Sequence, residues 1–287
     1  MTTIDKATTT AVLVFTDLDG TLLDHDSYRF DAARPALEAL HERRIPLILA
    51  TSKTLAEAVV VSQRLGNTAP LIVENGGALC FPAGHPAICS ADGLERRDGF
   101  TVMRLSPPYA LIRAFIERQR AASGFALRGF GDMDDGAVAA ATGLPLAEAR
   151  LARQRLCSEP FEWQDSASRL RQFGTAAEQA GLRITRGGRF HHLMGGTSKA
   201  RALHLMRGLY RDTWGKDPQV IALGDGENDS EMLQAADIAV IVRRPDGSHL
   251  ECAGRQRTLF TEAPGPRGWN KAMLQLFADI DQRAGDA

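Results

Sequence analysis

The sequence predicts an α/β fold, in which a three-layer, Rossmann-like core with a parallel sheet carries an inserted α+β domain. The first third alternates short apolar runs with amphipathic stretches, and this β-α-β-α-β order is typical of parallel strands joined by crossover helices. The same alternation returns near residue 197, after an interval of different character. We therefore expect the core to span residues 1–85 and 197–287, and the inserted domain to span residues 86–196.

The first third contains strands and helices in alternation. Apolar runs predict buried strands at residues 11–15, 46–50 and 70–73. Helical spacing predicts two helices between them, at residues 31–43 and 54–65, and Gly66 is a typical helix end. Residues 78–99 are rich in Gly, Pro, Asp and Ala, which indicates an irregular crossover.

The inserted segment mixes shorter strands and helices. Strands are predicted at residues 100–105, 125–129 and 161–163. Helices are predicted to begin at Ser106-Pro107, as an N-cap followed by a first-turn proline, and to span residues 146–156 and 168–180. Residues 182–185 and 189–193 flank Arg186-Gly187-Gly188, whose composition is typical of a hairpin turn.

The last third restores the alternation of the first. A helix is predicted at residues 197–211 and a strand at residues 219–223. A second helix is predicted directly after that strand, and a final helix at residues 269–280. Further strands are predicted at residues 238–242 and 258–260. The core is therefore expected to be split around the insert.

Composition and charge argue against several classes of protein. A formal net charge of -1 gives no overall field for nucleic acid or an anionic membrane. Apolar runs are all shorter than the 18 or so residues of a membrane span, so no membrane association is expected. The cysteines lack metal-binding spacing, and we expect reduced thiols in a cytoplasmic protein. They are Cys80, Cys89, Cys157 and Cys252.

Two carboxylates follow the first predicted strand, in Asp17-Leu18-Asp19-Gly20-Thr21. One aspartate can act as a covalent nucleophile, and a second acid can protonate a leaving oxygen and then activate water. Gly20 lets the chain turn sharply. The alternative is an Asp-rich turn without chemistry; a calcium loop does not fit, because its later acidic ligands are missing.

Two further polar groups lie at element boundaries of the core. Thr51 follows the second strand, where a hydroxyl can donate to a phosphate oxygen, although Thr51 or Ser52 can also serve as a helix N-cap. Lys199 begins the helix after the insert, where its ammonium can balance phosphate and Asp17, although a solvated lysine is the alternative.

A second acidic segment, Gly224-Asp225-Gly226-Glu227-Asn228-Asp229, directly follows a predicted strand. Hard oxygen ligands at a strand end suit Mg²⁺. A Rossmann-type glycine turn is disfavoured, because GxGxxG is absent and acidic side chains do not bind pyrophosphate directly. Parallel sheets bind ligands at the carboxyl ends of their strands, where all of these segments are expected to lie.

In this order and at these boundaries, the four signals resemble the motifs of the haloacid dehalogenase-like phosphatase superfamily. The resemblance implies that Asp17 is the nucleophile and Asp19 the acid/base, with Thr51 and Lys199 positioning the phosphate. It also implies that the insert is a cap of the C2B type, which governs substrate choice.

The same resemblance implies a Mg²⁺ cofactor. Asp17, the backbone carbonyl of Asp19 and Asp225 would hold the ion. Asp229 or Asn228 would act directly or through water.

Further segments narrow the resemblance to the mannosyl-3-phosphoglycerate phosphatase family, over about residues 11–275. They are Tyr28, Thr51–Thr54, Glu74–Gly77, Arg155–Trp163, Arg189–Lys199 and Gly265–Trp269. That family implies a small phosphorylated sugar-glycerate as substrate, and mannosylglycerate, a compatible solute, as product. The sequence does not predict the oligomeric state.

Candidate substrate contacts follow from the chemistry of that substrate. Its carboxylate suits a guanidinium, and Arg155 is the candidate, unless it is a solvated helix-end charge. Its hexose suits carboxylate and amide partners, and Glu159 and Asn75 are candidates. The other predicted contacts are Ser52, Gly76, Ser158, His192 and Asn228. His191 and His192 can alternatively be ordinary strand residues.

The sequence leaves two rival functions open. One is a related phosphatase or phosphomutase that acts on glucosyl-3-phosphoglycerate, sucrose phosphate or a hexose phosphate. The other is a catalytically idle sugar-phosphate-binding protein, which is disfavoured because Asp17 and Asp225 are both present.

Overall fold

A computed structural model describes residues 11–88, 94–187, 189–252 and 257–285, and its strands form two sheets. The strands are β1 (Val12–Thr16), β2 (Leu47–Ala50), β3 (Leu71–Val73), β4 (Ala78–Pro82), β5 (Glu95–Arg97), β6 (Phe100–Arg104), β7 (Leu127–Gly129), β8 (Ser158–Trp163), β9 (Leu182–Arg186), β10 (His191–Gly195), β11 (Gln219–Gly224), β12 (Ile238–Arg243) and β13 (Arg257–Pro264). The α-helices are α1 (Arg34–Glu42), α2 (Leu55–Leu65), α3 (Tyr109–Ser123), α4 (Asp135–Thr142), α5 (Leu146–Ala152), α6 (Ala167–Gln179), α7 (Lys199–Trp214), α8 (Ser230–Ala235) and α9 (Gly265–Gly285).

Nine of the described strands form the larger sheet, in the order β13-β12-β11-β1-β2-β3-β4-β6-β5. Neighbours from β13 to β3 run parallel, whereas β4, β5 and β6 pair antiparallel. In the middle of the parallel part, Phe15 of β1 lies between Ala222 of β11 and Ile48 of β2. The carboxyl ends of β1, β2 and β11 therefore meet at one edge of the sheet.

Alternate side chains of β1 face two different helical layers. Val12 and Val14 pack in a core with residues of α1, α2 and α9, including the fully buried Trp269. Leu13 and Phe15 pack in a second core with residues of α7 and α8. This arrangement confirms the predicted three-layer α/β fold with a largely parallel sheet.

The second sheet has the order β7-β8-β10-β9 and is antiparallel throughout. Side chains of α3 and α6 cover it, and Phe115, Phe161 and Phe173 are buried between helices and sheet. The shorter helices α4 and α5 form a separate apolar cluster with Phe130 and Phe190. β9 and β10 pair as the predicted hairpin, in whose turn Gly188 lies outside the described residues.

The predicted crossover at residues 78–99 is wrong, because it contains two strands. The apolar run Ala78–Phe81 is fully buried in β4, and Gly84 and Pro86 fall in the loop after that strand. β6 pairs with β4 and β5 pairs with β6, so that residues 95–104 extend the larger sheet. The division at residue 86 remains a prediction, and the second sheet itself begins at Leu127.

The helix predicted to begin at Ser106-Pro107 begins only at Tyr109. Two consecutive prolines explain the difference, since each disfavours helical geometry in the residue before it. The hydroxyl of Ser106 donates to the carbonyl of Cys157 at 2.7 Å and accepts the N–H of Gly195 at 2.8 Å. Ser106 therefore links the two chain segments that connect the sheets.

The insert contains one helix that the sequence analysis did not predict. Helix α4 is rich in alanine and lacks a clear apolar stripe, but Asp134 caps it by accepting the N–H of Ala137 at 2.7 Å. Helix α5 ends at Ala152, before the predicted end at residue 156.

No helix within the described residues is both long and apolar enough to cross a membrane. Three of the cysteines, Cys80, Cys157 and Cys252, are free thiols in the described part of the chain. Cys89 lies outside it.

Candidate active site

Three acidic side chains converge at the carboxyl edge of the larger sheet. Asp17 follows β1, whereas Asp225 and Asp229 follow the neighbouring strand β11. One carboxylate oxygen from each residue lies within 4.8 Å of the others. The structure thus brings together three of the residues that were predicted to bind a metal, and such oxygen ligands suit Mg²⁺.

Two glycines allow these acids to approach the strand ends. Gly20 has a φ of +82°, and a Cβ there would lie 2.8 Å from a carboxylate oxygen of Asp225. A Cβ at Gly224 would lie 2.6 Å from the Cβ of Asp229. The Asp229 carboxylate also accepts the N–H groups of Asp225 and Gly226, at 3.2 Å and 3.0 Å. A larger residue at either glycine would displace the acid cluster.

Lys199 provides a buried positive charge inside the cluster. It is the first residue of α7, and its Nζ donates to Oδ1 of Asp17 and Oδ1 of Asp229, each at 2.7 Å. Burial alone would lower the pKa of Lys199, but the two carboxylates outweigh this effect and raise it. The alternative of a solvated lysine is therefore wrong.

The buried carboxylates exceed the positive charge available to them. Burial raises the pKa of Asp17 well above its usual range, and the charge of Asp229 raises it further against the opposing effect of Lys199. Burial and Asp229 also raise the pKa of Asp225 to about 6, although Thr21 donates a hydrogen bond to it at 2.7 Å. A divalent cation would offset this excess of negative charge.

Asp19 is paired with a different lysine. The Nζ of Lys53 lies 2.9 Å from Oδ2 of Asp19, and also 5.2 Å from the ring centre of Tyr28. Burial would lower the pKa of Lys53, but Asp19 and Glu57 outweigh it and raise it. Among the described residues, the Oδ1 atom of Asp19 has no hydrogen-bond partner. That oxygen is buried, and no hydrogen bond from the described part of the chain competes for it.

Thr51 is buried at the end of β2. Its hydroxyl accepts the N–H of Lys53 at 3.1 Å, and its carbonyl accepts the N–H of Asn75 at 2.9 Å. Neither Thr51 nor Ser52 caps helix α2, because Thr54 is the N-cap and forms a capping box. The helix-cap alternative is therefore wrong for both residues.

A cleft of about 760 Å³ lies between the larger sheet and the insert, and Asp17 and Asp19 both line it. Its other wall belongs to the insert and includes Phe130, Phe190 and His192. Of the residues described, the lysines and arginines that line it are Lys53, Arg155, Arg186, Arg189 and Arg244. Seven of the described aspartates and glutamates line it as well, so the size of the cleft suits a small ligand, and its lysine and arginine side chains suit anionic groups on that ligand.

Asn75 and Asn228 meet beside the cleft. The Nδ2 of Asn228 donates to Oδ1 of Asn75 at 3.0 Å, and Asn228 lines the cleft while Asn75 lines an adjoining cavity of about 240 Å³. Gly76, predicted as a substrate contact, lies against helix α7 instead. A Cβ at Gly76 would lie only 2.2 Å from the carbonyl oxygen of Ser198, so its role is to let α7 approach closely.

Arg155 is buried beside the cleft, so the alternative of a solvated charge is wrong. Its Nη2 donates to the Ser52 carbonyl at 3.2 Å and to the Ser158 hydroxyl at 2.5 Å. The buried carboxylate of Glu74 lies 3.5 Å from its Nε. Glu74 also accepts the Ser158 O–H at 2.7 Å and the N–H groups of the two residues after Arg155 at 2.6 Å and 3.0 Å.

The same contacts explain the placement of Ser158, which is fully buried inside this network. The hydroxyl of Ser158 is used by Glu74 and Arg155. Its predicted contact with the substrate is therefore corrected to a role in joining the insert to the core.

Glu159 lies within the insert and away from the cleft. Its carboxylate accepts the O–H of Tyr109 at 2.5 Å, and hydrogen bonds from Arg113 at 3.0 Å and the N–H of Gly131 at 2.8 Å. Burial raises its pKa. The predicted hexose contact is corrected, because both carboxylate oxygens are already used.

His192 lines the cleft from strand β10 and is 7% exposed. Burial, with the nearby charge of Arg155, lowers its pKa to about 3, so the ring is neutral. Its Nδ1 atom has no hydrogen-bond partner among the described residues. The neighbouring His191 stacks on Phe161 instead, with ring centres 5.5 Å apart. This nitrogen is itself buried, but a neutral imidazole at the cleft can donate or accept a hydrogen bond, which suits a hydroxyl group.

A family model described as haloacid dehalogenase-like hydrolase matches residues 14–118 and 184–249, together more than half of the chain. The chain belongs to the haloacid dehalogenase-like hydrolases. The matched parts of this hydrolase include Asp17, Thr51, Lys199 and Asp225, and leave out most of the insert.

Two curated relatives of this hydrolase are named glucosyl-3-phosphoglycerate/mannosyl-3-phosphoglycerate phosphatase. The protein from Methanococcoides burtonii is 40% identical over 92% of this chain and 97% of its own length. The protein from Persephonella marina is 36% identical over 94% of this chain and 99% of its own length.

A solved structure shares the fold of the hydrolase. It is a phosphatase of the haloalkanoate enzyme superfamily from Bacteroides thetaiotaomicron, with a TM-score of 0.63 and 19% identity. The match covers 96% of this chain and 98% of the other.

Sequence reasoning missed three residues that shape the site of this hydrolase: Lys53, Glu74 and Arg244. Arg244 follows β12, and its Nε donates to the carbonyl of Asp225 at 2.9 Å. Lys53 and Glu74 lie in segments that carried the family resemblance, but no chemical role was assigned to either. Nothing in the sequence indicated a role for Arg244, because a charged residue in a loop is common on any protein surface.

Proposed function

We propose that the chain is a Mg²⁺-dependent phosphatase that hydrolyses mannosyl-3-phosphoglycerate to mannosylglycerate and phosphate. The observation that carries the reaction is the cluster of Asp17, Asp225 and Asp229 around the buried ammonium of Lys199. The substrate is supported by the names of two relatives that match more than nine-tenths of the chain. The cations of the adjoining cleft suit a molecule that carries both a phosphate and a carboxylate.

The reaction proceeds in two steps on the chain's own residues. Asp17 attacks the phosphorus and forms an aspartyl phosphate, while Asp19, which must enter this step protonated, gives its proton to the glycerate oxygen whose bond to phosphorus breaks. Mannosylglycerate then leaves as an alcohol. Asp19, now a carboxylate, takes a proton from water as the water oxygen attacks the phosphoenzyme and releases phosphate. Lys199 and Thr51 hold the transferring group in line.

The acid cluster fits the Mg²⁺ that this chemistry uses. Asp17, the backbone carbonyl of Asp19 and Asp225 would hold the ion, with Asp229 acting directly or through water. The spacing of the carboxylate oxygens, within 4.8 Å, and their excess of negative charge support this assignment. When bound, the ion supplies positive charge that reduces the repulsion between the nucleophilic carboxylate and the phosphate.

The insert, residues 86–196 in the predicted division, acts as a cap that selects the substrate. His192 and Asn228 line the cleft with uncharged polar side chains, which suit the hydroxyls of a hexose. Ser52 lines the same cleft, and its carbonyl is fixed by Arg155. Arg155 and Glu74 fix the cap against the core, which limits the poses that the substrate can take.

Glucosyl-3-phosphoglycerate is a second candidate substrate, because the names of both relatives include it. The two hexoses differ in the orientation of a single hydroxyl. A neutral histidine and an amide can hydrogen-bond a hydroxyl in either orientation, so both sugars fit the same site.

The proposed function is tested by phosphate release from a panel of substrates. Mannosyl- and glucosyl-3-phosphoglycerate are compared with sucrose 6-phosphate and glucose 6-phosphate, in Mg²⁺ and in EDTA. We expect kcat/KM for the two phosphoglycerates to exceed that for the other compounds on the order of 10²-fold, and to be lost in EDTA. Equal or faster release from the sugar phosphates that lack glycerate would contradict the substrate assignment.

A further inference from the structure

We propose that Lys53 binds the carboxylate of the substrate and thereby selects phosphoglycerate compounds over simple sugar phosphates. This inference rests on the proposed function, because it takes a glycerate unit as the leaving group. Lys53 lines the cleft, and its Nζ lies 2.9 Å from Oδ2 of Asp19. In the described part of the chain, it is the one cation that forms an ion pair with Asp19.

The position of Asp19 determines where the substrate carboxylate lies. Asp19 must reach the oxygen that joins phosphorus to C3 of glycerate, because it protonates that oxygen. Only C2 separates C3 from the carboxyl carbon, so the carboxylate lies beside the same acid. An ammonium has three N–H donors, and the ion pair with Asp19 leaves donors for a second acceptor. Lys53 is therefore within reach of the substrate carboxylate.

Lys53 is held in place before any substrate arrives. The backbone N–H of Lys53 donates to the Thr51 hydroxyl at 3.1 Å, and its backbone carbonyl accepts the N–H of Glu74 at 3.0 Å. Its ammonium lies 5.2 Å from the ring centre of Tyr28, whose φ of +53° is rare for an aromatic residue. A charge fixed in this way loses little freedom on binding, which favours selectivity.

The other cations of the cleft have different positions or partners. The guanidinium of Arg155 is bonded to Ser52 and Ser158 and faces Glu74. The Nε of Arg244 donates to the carbonyl of Asp225, within the acid cluster. The remaining two arginines, 186 and 189, flank the hairpin turn of the insert. Lys53 is the cation that the structure places on the side of the leaving group.

The test crosses one change in the enzyme with one change in the substrate. Wild type and Lys53→Met are each assayed with mannosyl-3-phosphoglycerate and with its analogue in which the carboxylate is reduced to a hydroxymethyl group. Lys53→Met should lower kcat/KM for the carboxylate compound on the order of 10²-fold, and for the analogue much less. The matched control is Lys271→Met, which removes an exposed lysine that pairs with Glu262, and it should behave like wild type.

Equal losses on both compounds would overturn the inference alone, because they would mean that Lys53 only supports Asp19. Failure of the wild type to hydrolyse the carboxylate compound would overturn the proposed function, and the inference with it.

If Lys53→Met has no measurable turnover, calorimetry in the Asp17→Asn background compares the binding of both compounds with and without Lys53. A loss of affinity confined to the carboxylate compound supports the inference, and an equal loss overturns it. Lys53→Arg, which keeps the charge, should retain the preference.

Discussion

Each aspartate of the Asp17 and Asp19 pair has its own lysine. Lys199 is fully buried and forms ion pairs with Asp17 and Asp229, whereas Lys53 lies at the surface of the cleft and forms an ion pair with Asp19. A buried ammonium is tolerated only when it is paired, so Lys199 and the acids stabilise one another. Lys53 is partly open to the cleft, which leaves it able to meet a ligand.

Residue chemistry explains why some site residues could be predicted from sequence and others could not. Asp17, Asp225 and Lys199 follow directly on strand or helix boundaries, so their location follows from the secondary structure. The partners of Glu159 come from helix α3 and from the short 3-10 helix Phe130–Asp132 after β7, and no local pattern indicates them. A carboxylate in a strand looks the same in sequence whether it faces a ligand or an arginine.

The neutral His192 predicts a specific loss of stability in acid. Its pKa is lowered to about 3 in the folded protein, against about 6.5 in the unfolded chain. Its contribution is fully present above about pH 6.5 and is lost as the pH falls toward 3, by up to about 1.4 kcal/mol per pH unit. Urea unfolding at about pH 7 and pH 5 should show a shallower decline for His192→Asn than for wild type.

The control for this prediction is His204→Asn, which changes an exposed histidine on helix α7. It should follow the wild-type pH dependence. If His192→Asn and wild type lose stability in parallel, the ring of His192 is not the group responsible.

At the scale of elements, the start of helix α7 is positioned by the turn after β3. Gly76 in that turn has a φ of +88°, and its carbonyl accepts the O–H of Thr197 at 3.2 Å. Because Lys199 is the first residue of α7, the turn also fixes the ammonium of the site. Sequence analysis predicted both elements, but it assigned Gly76 to the substrate, since a contact between two backbones leaves no signal in side-chain types.

Gly76→Ala should damage stability and turnover together. The new Cβ would lie 2.2 Å from the carbonyl oxygen of Ser198 and 2.7 Å from the backbone nitrogen of Lys199, so α7 must move. We expect a loss of about 1–3 kcal/mol in the free energy of unfolding, and a fall in kcat on the order of 10²-fold as Lys199 shifts. Urea unfolding and phosphate release measure the two effects.

Gly84→Ala is the matched control, because Gly84 also has a positive φ, of +77°, but nothing lies within 4 Å of its Cβ position. Gly84→Ala should lower the free energy of unfolding through backbone strain and leave turnover unchanged. A similar fall in kcat for both variants would contradict the proposed role of Gly76.

At the scale of the whole molecule, the active site depends on the joint between core and insert. Glu74 of the core accepts hydrogen bonds from Leu156 and Cys157, and Ser106, in the segment after β6, bonds to Cys157 and to Gly195 at the end of β10. The split core and the inserted domain follow from the alternation of elements in the sequence. The contacts across the joint do not, because they connect positions far apart in the chain.

The nucleophilic role of Asp17 is tested most directly by phosphate release from mannosyl-3-phosphoglycerate by Asp17→Asn in Mg²⁺, with unfolding curves to establish that the variant is folded. If Asp17 is the nucleophile of a phosphatase, kcat should fall by at least about 10³-fold relative to wild type. A folded variant with turnover within about tenfold of wild type would contradict the central claim.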